Sequence, residues 1–209
     1  MGGLSGPSSP AERRRAAREE WDAEAASFDE APDHGLRDPE VRDAWRRLLL
    51  EELPAAPARV ADLGCGTGTL SVLLAEEGFA VDGVDLSPAM VERAVAKAAG
   101  RPRVTFAVAD AADPPLPPAA YDAVLCRHVL WALPDPEAGL RRWTTLLRPG
   151  GRLVLVEGRW WTDAGLSAED TLAAARAAGL RATVRPLAEP AYWGGPISDE
   201  RYLVTARPG

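Results

Sequence analysis

With 209 residues and 46% hydrophobic side chains, the chain suits one domain with a substantial core and does not call for a second; a chain of this length buries roughly 70% of its unfolded surface. Its 24 basic and 31 acidic side chains leave a net charge of −7, which opposes docking on a phosphate backbone and argues against nucleic acid as a general partner. Two cysteines, Cys65 and Cys126, are too few for a disulfide framework and fit a reducing compartment.

No apolar stretch approaches the roughly 18 residues of a membrane span, and the N-terminus lacks a signal-peptide run. A cytoplasmic protein without membrane attachment is expected. Residues 1–10, rich in Gly, Ser and Pro, read as a flexible tail. Residues 11–56 hold two helical candidates, about 11–28 and 39–53, separated by Asp29-Glu30-Ala31-Pro32-Asp33-His34-Gly35. Arg13-Arg14-Arg15 lies beside Glu19 and Glu20 and reads as a solvated face.

From residue 57 to 209 short apolar runs alternate with helical patterns, which builds a parallel sheet covered by helices. The first strand, 59–63, runs into Gly64-Cys65-Gly66-Thr67-Gly68, and a helix with Leu70, Leu73 and Leu74 on one face follows. Glycine lets a strand turn sharply into a helix and lets a ligand touch bare backbone. A dinucleotide turn reads G-x-G-x-x-G and needs glycine where Thr69 stands.

The second strand, 80–84, ends in Asp85, and Ser87 with Pro88 opens a helix burying Met90, Val91, Ala94, Val95 and Ala98. Strand three, 104–109, ends in Asp110 and is followed by a proline-rich loop. Strand four spans 121–126. Asp135 and Pro136 open a helix that Pro149-Gly150-Gly151 terminates, and 153–156 is strand five. Ser167 with Asp170 resembles a capping box for an alanine-rich helix; strands at 180–184 and 202–206 follow, joined by a connection long for a hairpin.

In an open parallel sheet the ligand sits outside the carboxyl ends of the strands, so helices preceding strand one are placed to act as a lid over it, or else simply to pack on the sheet. Asp62, Asp85 and Asp110 fall on that edge if their strands are parallel neighbours. Asp85, about twenty residues past the first glycine, can accept hydrogen bonds from both hydroxyls of a ribose. Asp110 can accept from the exocyclic amine of adenine, with Leu86 and Met90 on the two faces of the ring; alternatively it caps the next segment.

These residues resemble the class I S-adenosylmethionine-dependent methyltransferases, in particular the small-molecule branch of ubiquinone and menaquinone biosynthesis. The resemblance covers about residues 21–157, through the 60–68 turn, Val84-Asp85-Leu86-Ser87-Pro88-Ala89-Met90, Ala109-Asp110-Ala111, Tyr121-Asp122-Ala123-Val124-Leu125 and Leu147-Arg148-Pro149-Gly150-Gly151. It implies a Rossmann-like α/β fold, a doubly wound seven-stranded sheet of order 3-2-1-4-5-7-6 with the last strand antiparallel. It also implies S-adenosyl-L-methionine as cofactor, with Asp62, Gly64, Cys65 and Gly66 around its methionine half, Asp85 at the ribose, and Asp110 with Ala111 at adenine. Trp21 or Phe28 would cover the methionine end, or serve the core. Arg127 would line the pocket or lie on the surface.

The sulfonium methyl of such a cofactor is already activated, so orientation and exclusion of water carry most of the catalysis. A base is needed only where the acceptor loses a proton. His128, in Cys126-Arg127-His128-Val129-Leu130-Trp131, is the first candidate, since an unshifted histidine titrates near neutrality; a structural hydrogen bond is its other reading. His34 in the lid loop and Glu157 after strand five are further options.

An Asn-Pro-Pro-Tyr type motif, the mark of nucleobase and glutamine methylation, is absent after strand four; Asp113-Pro114-Pro115-Leu116 precedes that strand and reads as a loop. Two histidines and no paired-cysteine motif offer no metal-ligand pattern. Trp160, Trp161, Tyr192 and Trp193 lie in loops where aromatics recognise flat or apolar ligands, or pack beneath the loops. The expected function is methyl transfer to O, N or C of a small aromatic or moderately apolar metabolite, by a monomer or homodimer. A cofactor-binding regulatory protein without transfer and a nicotinamide-dependent oxidoreductase are the alternatives.

Overall fold

The computed structural model describes residues 9–209. The expected tail lies outside them except for Ser9 and Pro10, which open a helix instead. Ser9 Oγ accepts from the Glu12 amide at 3.2 Å and Glu12 Oε2 accepts from the Ser9 amide at 2.8 Å, a reciprocal cap that starts α1, Pro10–Glu24. A 3-10 turn at Phe28–Glu30 and a short helix α2, Pro32–Gly35, occupy the segment expected as a separator, because Pro32 stands at a first helical position. Helix α3 is Pro39–Glu52.

The remainder alternates as β1 Arg59–Leu63, α4 Thr69–Glu76, β2 Ala80–Asp85, α5 Pro88–Lys97, β3 Val104–Val108, β4 Tyr121–Arg127, α6 Pro136–Thr144, β5 Leu147–Arg159, α7 Ala168–Ala177, β6 Leu180–Pro186, α8 Pro190–Trp193 and β7 Glu200–Pro208. The strands form one seven-stranded sheet of order β3-β2-β1-β4-β5-β7-β6. All neighbours are parallel except β7, which runs antiparallel to β5 and β6. The expected Rossmann-like sheet is the observed one.

Successive strand residues feed opposite faces. Val60, Leu125 and Val156 pack with Leu70, Leu73 and Leu74 of α4 on one side, while Ala61, Leu63 and Val124 pack with Leu140 and Trp143 of α6 on the other. Helix α3 belongs to the first layer. Its Trp45, Leu48 and Leu49 are fully buried there, and each such side chain contributes about 1.5–3 kcal/mol. Helix α1, by contrast, buries none of its residues. Of the segment 11–56, α3 and Leu36 just before it thus belong to that layer.

Three local expectations give way. Helix α6 stops at Thr144, ahead of Pro149-Gly150-Gly151, which lies inside β5 where the β4–β5 pairing shifts register; a proline without N–H is tolerated at such an irregularity. Val95, expected on the buried face of α5, is 55% exposed. The connection 186–200 carries α8, whose Trp193 is buried. Among the described residues no helix is long and apolar enough to cross a membrane.

Candidate functional site

A cavity of about 530 Å³ opens at the carboxyl ends of β1, β2 and β4, within the ~300–1,000 Å³ common for small-molecule sites. Trp21, Asp62, Gly64, Cys65, Gly66, Asp85, Leu86, Met90, Asp110, Ala111 and Arg127 all border it, as do His34 and His128. Residues up to 154 positions apart in sequence thus line one cavity, in large part because the parallel strands end on the same edge.

The turn after β1 forms the floor. Gly64, Gly66 and Gly68 have φ of +73°, +53° and +75°, a region that costs other residues strain. The amides of Gly64 and Cys65 donate to the Val84 carbonyl at 2.8 and 3.0 Å, which ties the turn to β2. A Cβ on Gly64 would stand 2.2 Å from Val129 Cγ2, so the backbone passes flush against the loop after β4. Asp85 Oδ2 accepts from the Gly66 amide at 2.8 Å and Oδ1 from the Ser87 amide at 2.9 Å. Burial raises its pKa. Asp62 accepts from Ser71 Oγ at 2.5 Å, and burial pushes its carboxyl up to about 6. Burial also raises the Cys65 thiol well above its usual range, so it stays protonated.

Helix α1 roofs this end through Pro10, Arg13, Arg14, Ala17 and Trp21, one face at helical spacing. The arginine triplet is therefore not a uniformly solvated face. Arg14 Nε pairs with Asp110 Oδ2 at 2.7 Å and Arg13 borders the cavity, while Arg15 pairs with Glu19 on the exposed side. Asp110 Oδ1 accepts from the Ala112 amide at 2.8 Å, so this carboxylate also caps its own turn. Asp22 anchors α1 to the start of α5 by accepting from Ser87 Oγ at 2.5 Å and the Ala89 amide at 3.1 Å. Those hydrogen bonds, Ser87 first, hold its carboxyl below the usual range.

The other end is built by the segment after β4. Arg127 is half-buried, donates to the Asp33 carbonyl at 2.5 Å and stacks over Trp45 at 5.1 Å, so it is not a surface arginine. His128 has φ of +60°, uncommon for a residue with a side chain. Its amide donates to the Val156 carbonyl at 2.9 Å, and its Nε2 is buried without a hydrogen-bond partner. Burial, with Arg127, Arg201 and His34 nearby, pushes its pKa well below the usual 6.5. The unshifted titration expected from sequence does not hold, and the imidazole is neutral at pH 7.

His34 stacks on Phe28 with centroids 4.2 Å apart, and burial, followed by Arg127, pushes its pKa down to about 4. Glu157, the third candidate base, is fully buried and does not border the cavity. Its Oε1 accepts from the amides of Val129 and Leu130 at 3.0 and 2.8 Å, so it holds the loop that carries His128. Burial pushes its carboxyl up to about 7.

Ligand-type atoms of Asp33, His34 and His128 lie within 4.8 Å of one another. Sequence spacing did not reveal this group, because 34 and 128 meet only through the fold. The positive charge of Arg127 helps lower the pKa of both imidazoles, and a divalent cation placed among them would meet that fixed charge. The same two neutral rings suit hydrogen bonding to a polar group entering the cavity.

Of the four loop aromatics singled out from sequence, only Trp160 borders the cavity. It meets His128 edge-on at 5.2 Å and Trp131 at 5.4 Å. Trp193 lies behind, stacked on His128 at 6.1 Å, and Tyr192 packs against Trp45 at 6.3 Å. Trp161 is 84% exposed and points away. The wall that sequence reasoning missed is Trp131, which follows His128 by one helical turn and donates from Nε1 to the His128 carbonyl at 2.9 Å. Leu133 and Ala164 complete an apolar end.

Residues 61–155 match the family model described as a methyltransferase domain. A demethylmenaquinone methyltransferase of Clavibacter sepedonicus is 40% identical over 114 residues, covering 54% of this chain and 46% of that protein. A ubiquinone biosynthesis O-methyltransferase of Xanthomonas euvesicatoria is 35% identical over 137 residues, covering 65% and 54%. The chain spans about half the length of the curated relatives it matches. Among solved structures, a geranyl diphosphate C-methyltransferase from Streptomyces coelicolor A3(2), in complex with S-adenosyl-L-homocysteine, superposes with TM-score 0.74 at 19% identity, covering 98% of this chain and 100% of that one. At that identity the likeness is one of fold.

Proposed function

We propose that this chain is a class I S-adenosylmethionine-dependent methyltransferase that transfers the cofactor's methyl group to an oxygen, nitrogen or carbon of a small aromatic or moderately apolar metabolite; the match of residues 61–155 to a methyltransferase domain supports this reading. The observation that carries the proposal is the cavity at the strand ends, which three strand-end carboxylates and bare glycine backbone border together with two imidazoles and the tryptophans beside His128. The residues fit the cofactor. A side chain on Gly64 has no room, and Asp85, held by two amides, keeps lone pairs for ribose hydroxyls.

When bound, the cofactor supplies a methyl on a positive sulfur, open to attack by a nucleophile in line behind it. Asp85 would accept from the ribose, Asp110 and Ala111 would hold adenine with Leu86 and Met90 beside it, and Asp62 with Gly64, Cys65 and Gly66 would hold the methionine half. Trp21 and Phe28, set edge to face at 6.4 Å, cover that half from the N-terminal side. Arg127 holds the Asp33 carbonyl and so fixes the His34 segment. The acceptor lies against Trp131 and Trp160, with His128 Nε2 taking its proton where one must leave. The segment from α1 through α2 acts as the lid that excludes water. The names of the relatives, which act in quinone biosynthesis, support an acceptor of this kind.

Asp85→Ala tests the cofactor half. Removing a charged acceptor from ribose costs about 1.5–3 kcal/mol, so affinity for S-adenosylhomocysteine in calorimetry is expected to fall roughly 10- to 150-fold. Asp85→Asn keeps one of the two accepting oxygens and turns its NH2 toward the other backbone amide, so both its affinity and its melting temperature should fall, by less than in Asp85→Ala. Unchanged affinity in both variants removes Asp85 from the ribose site.

A further inference from the structure

Behind the cavity, Lys97 at the end of α5 gathers three acceptors. Its Nζ lies 2.8 Å from Asp29 Oδ2, 2.9 Å from Thr67 Oγ1 and 2.6 Å from Thr69 Oγ1. Thr67 Oγ1 donates in turn to Asp29 Oδ1 at 2.5 Å. An ammonium has three donors arranged around a point, and here each meets an oxygen; a planar guanidinium does not match that arrangement. Lys97 is the one lysine in the chain, all other cationic side chains of its 24 basic residues being arginine. The site is half-buried, with 26% of the Lys97 side chain and 22% of the Asp29 side chain exposed.

The three elements so joined do not otherwise meet in sequence. Thr67 and Thr69 belong to the glycine turn and the start of α4, Lys97 ends α5, and Asp29 lies in the turn between α1 and α2. None of the four borders the cavity. Their neighbours do. Phe28, adjacent to Asp29, places its ring edge 3.1 Å from where a Cβ on Gly66 would stand, and His34 stacks on that ring.

We propose that Lys97 is a positioning residue: held by Thr67 and Thr69, it latches Asp29, and this contact holds Phe28 and the α1–α2 segment closed over the glycine turn. The proposal rests on the lid reading given above. Lys97→Met keeps the length of the side chain and removes its charge, leaving the Asp29 carboxylate half-buried without its cation. Asp29→Asn removes the other partner.

The test is hydrogen exchange by mass spectrometry on the full chain, with calorimetric binding of S-adenosylhomocysteine to wild type, Lys97→Met, Asp29→Asn and the double variant. Each single variant is expected to speed exchange in residues 25–36 and weaken binding, both about tenfold. Exchange in β4 and β5 should not change, and the double variant should lose no more than either single one. Lys97→Arg, which restores charge but not the three-way geometry, should recover only part of the affinity. Unchanged exchange in 25–36, or additive losses in the double variant, overturns the latch. Faster exchange with unchanged affinity overturns the positioning role by showing that the segment does not govern the cofactor. A wild-type chain that binds no S-adenosylhomocysteine refutes the functional reading itself.

Discussion

His128→Ala is expected to lower turnover by roughly 10²- to 10⁴-fold on an acceptor that must lose a proton, the range typical of a positioned general base, while affinity for S-adenosylhomocysteine changes little. The expectation follows from an unusual combination. The backbone adopts φ of +60°, the ring is held by Trp160 and Trp193, and Nε2 is buried yet unpartnered. A buried polar atom left without a partner is costly, and an acceptor whose arrival opens the surroundings of the ring would supply that partner. The electrostatics add a pH signature. A base must be unprotonated to act, and because the pKa of His128 is pushed well below 6.5, the acid limb of the rate profile is expected to lie below that of an ordinary histidine. Initial rates from pH 5 to 8 across a panel of phenolic and enolic acceptors provide the check. Unaltered turnover in the variant removes His128 from proton transfer.

Glu157→Ala is expected to reduce both stability and turnover, although the side chain never reaches the cavity. Its Oε1 accepts from the Val129 and Leu130 amides, and leaving two buried donors unsatisfied costs about 2–4 kcal/mol. In a chain of this size that lowers the melting temperature by roughly 4–16 °C. Turnover falls with it, because the same two amides fix the segment that begins at His128. Glu157→Gln keeps the accepting oxygen and should retain most of the stability. The pH dependence separates the roles further. Burial raises the folded pKa from 4.5 to about 7, so between these values the folded state holds a proton that the unfolded state releases, and stability falls as pH rises through that window. Glu157→Gln removes this dependence. Denaturant midpoints at pH 5 and pH 8 measure it, and equal pH slopes for wild type and Glu157→Gln contradict the assignment.

The end proposed for the cofactor was legible because its residues lie in short stretches with fixed spacing. Gly64, Gly66, Asp85 and Asp110 all lie at or just after the carboxyl ends of parallel neighbours, and parallel neighbours end on one edge. The glycines alone marked a backbone-lined turn, and the acids gave it direction. The acceptor end was less legible because its geometry is tertiary. Trp131 becomes a wall only through the turn that follows His128, and Trp193 is drawn behind His128 by α8, a helix too short to leave a periodic signal. Arg14 looked solvated within its triplet, yet the cap at Ser9 sets the helical phase that turns it toward Asp110. Burial, which sequence pattern predicts poorly for polar groups, decided the rest: it lowered the pKa of both histidines and made Glu157 a support for the His128 loop rather than a base.

The central claim is that this cavity holds S-adenosylmethionine rather than a dinucleotide. Calorimetric titration of the full chain with S-adenosylmethionine and, separately, with NAD tests it most directly. The expected result is one-to-one binding of S-adenosylmethionine and no measurable heat with NAD. Saturable binding of NAD in preference to S-adenosylmethionine would contradict it.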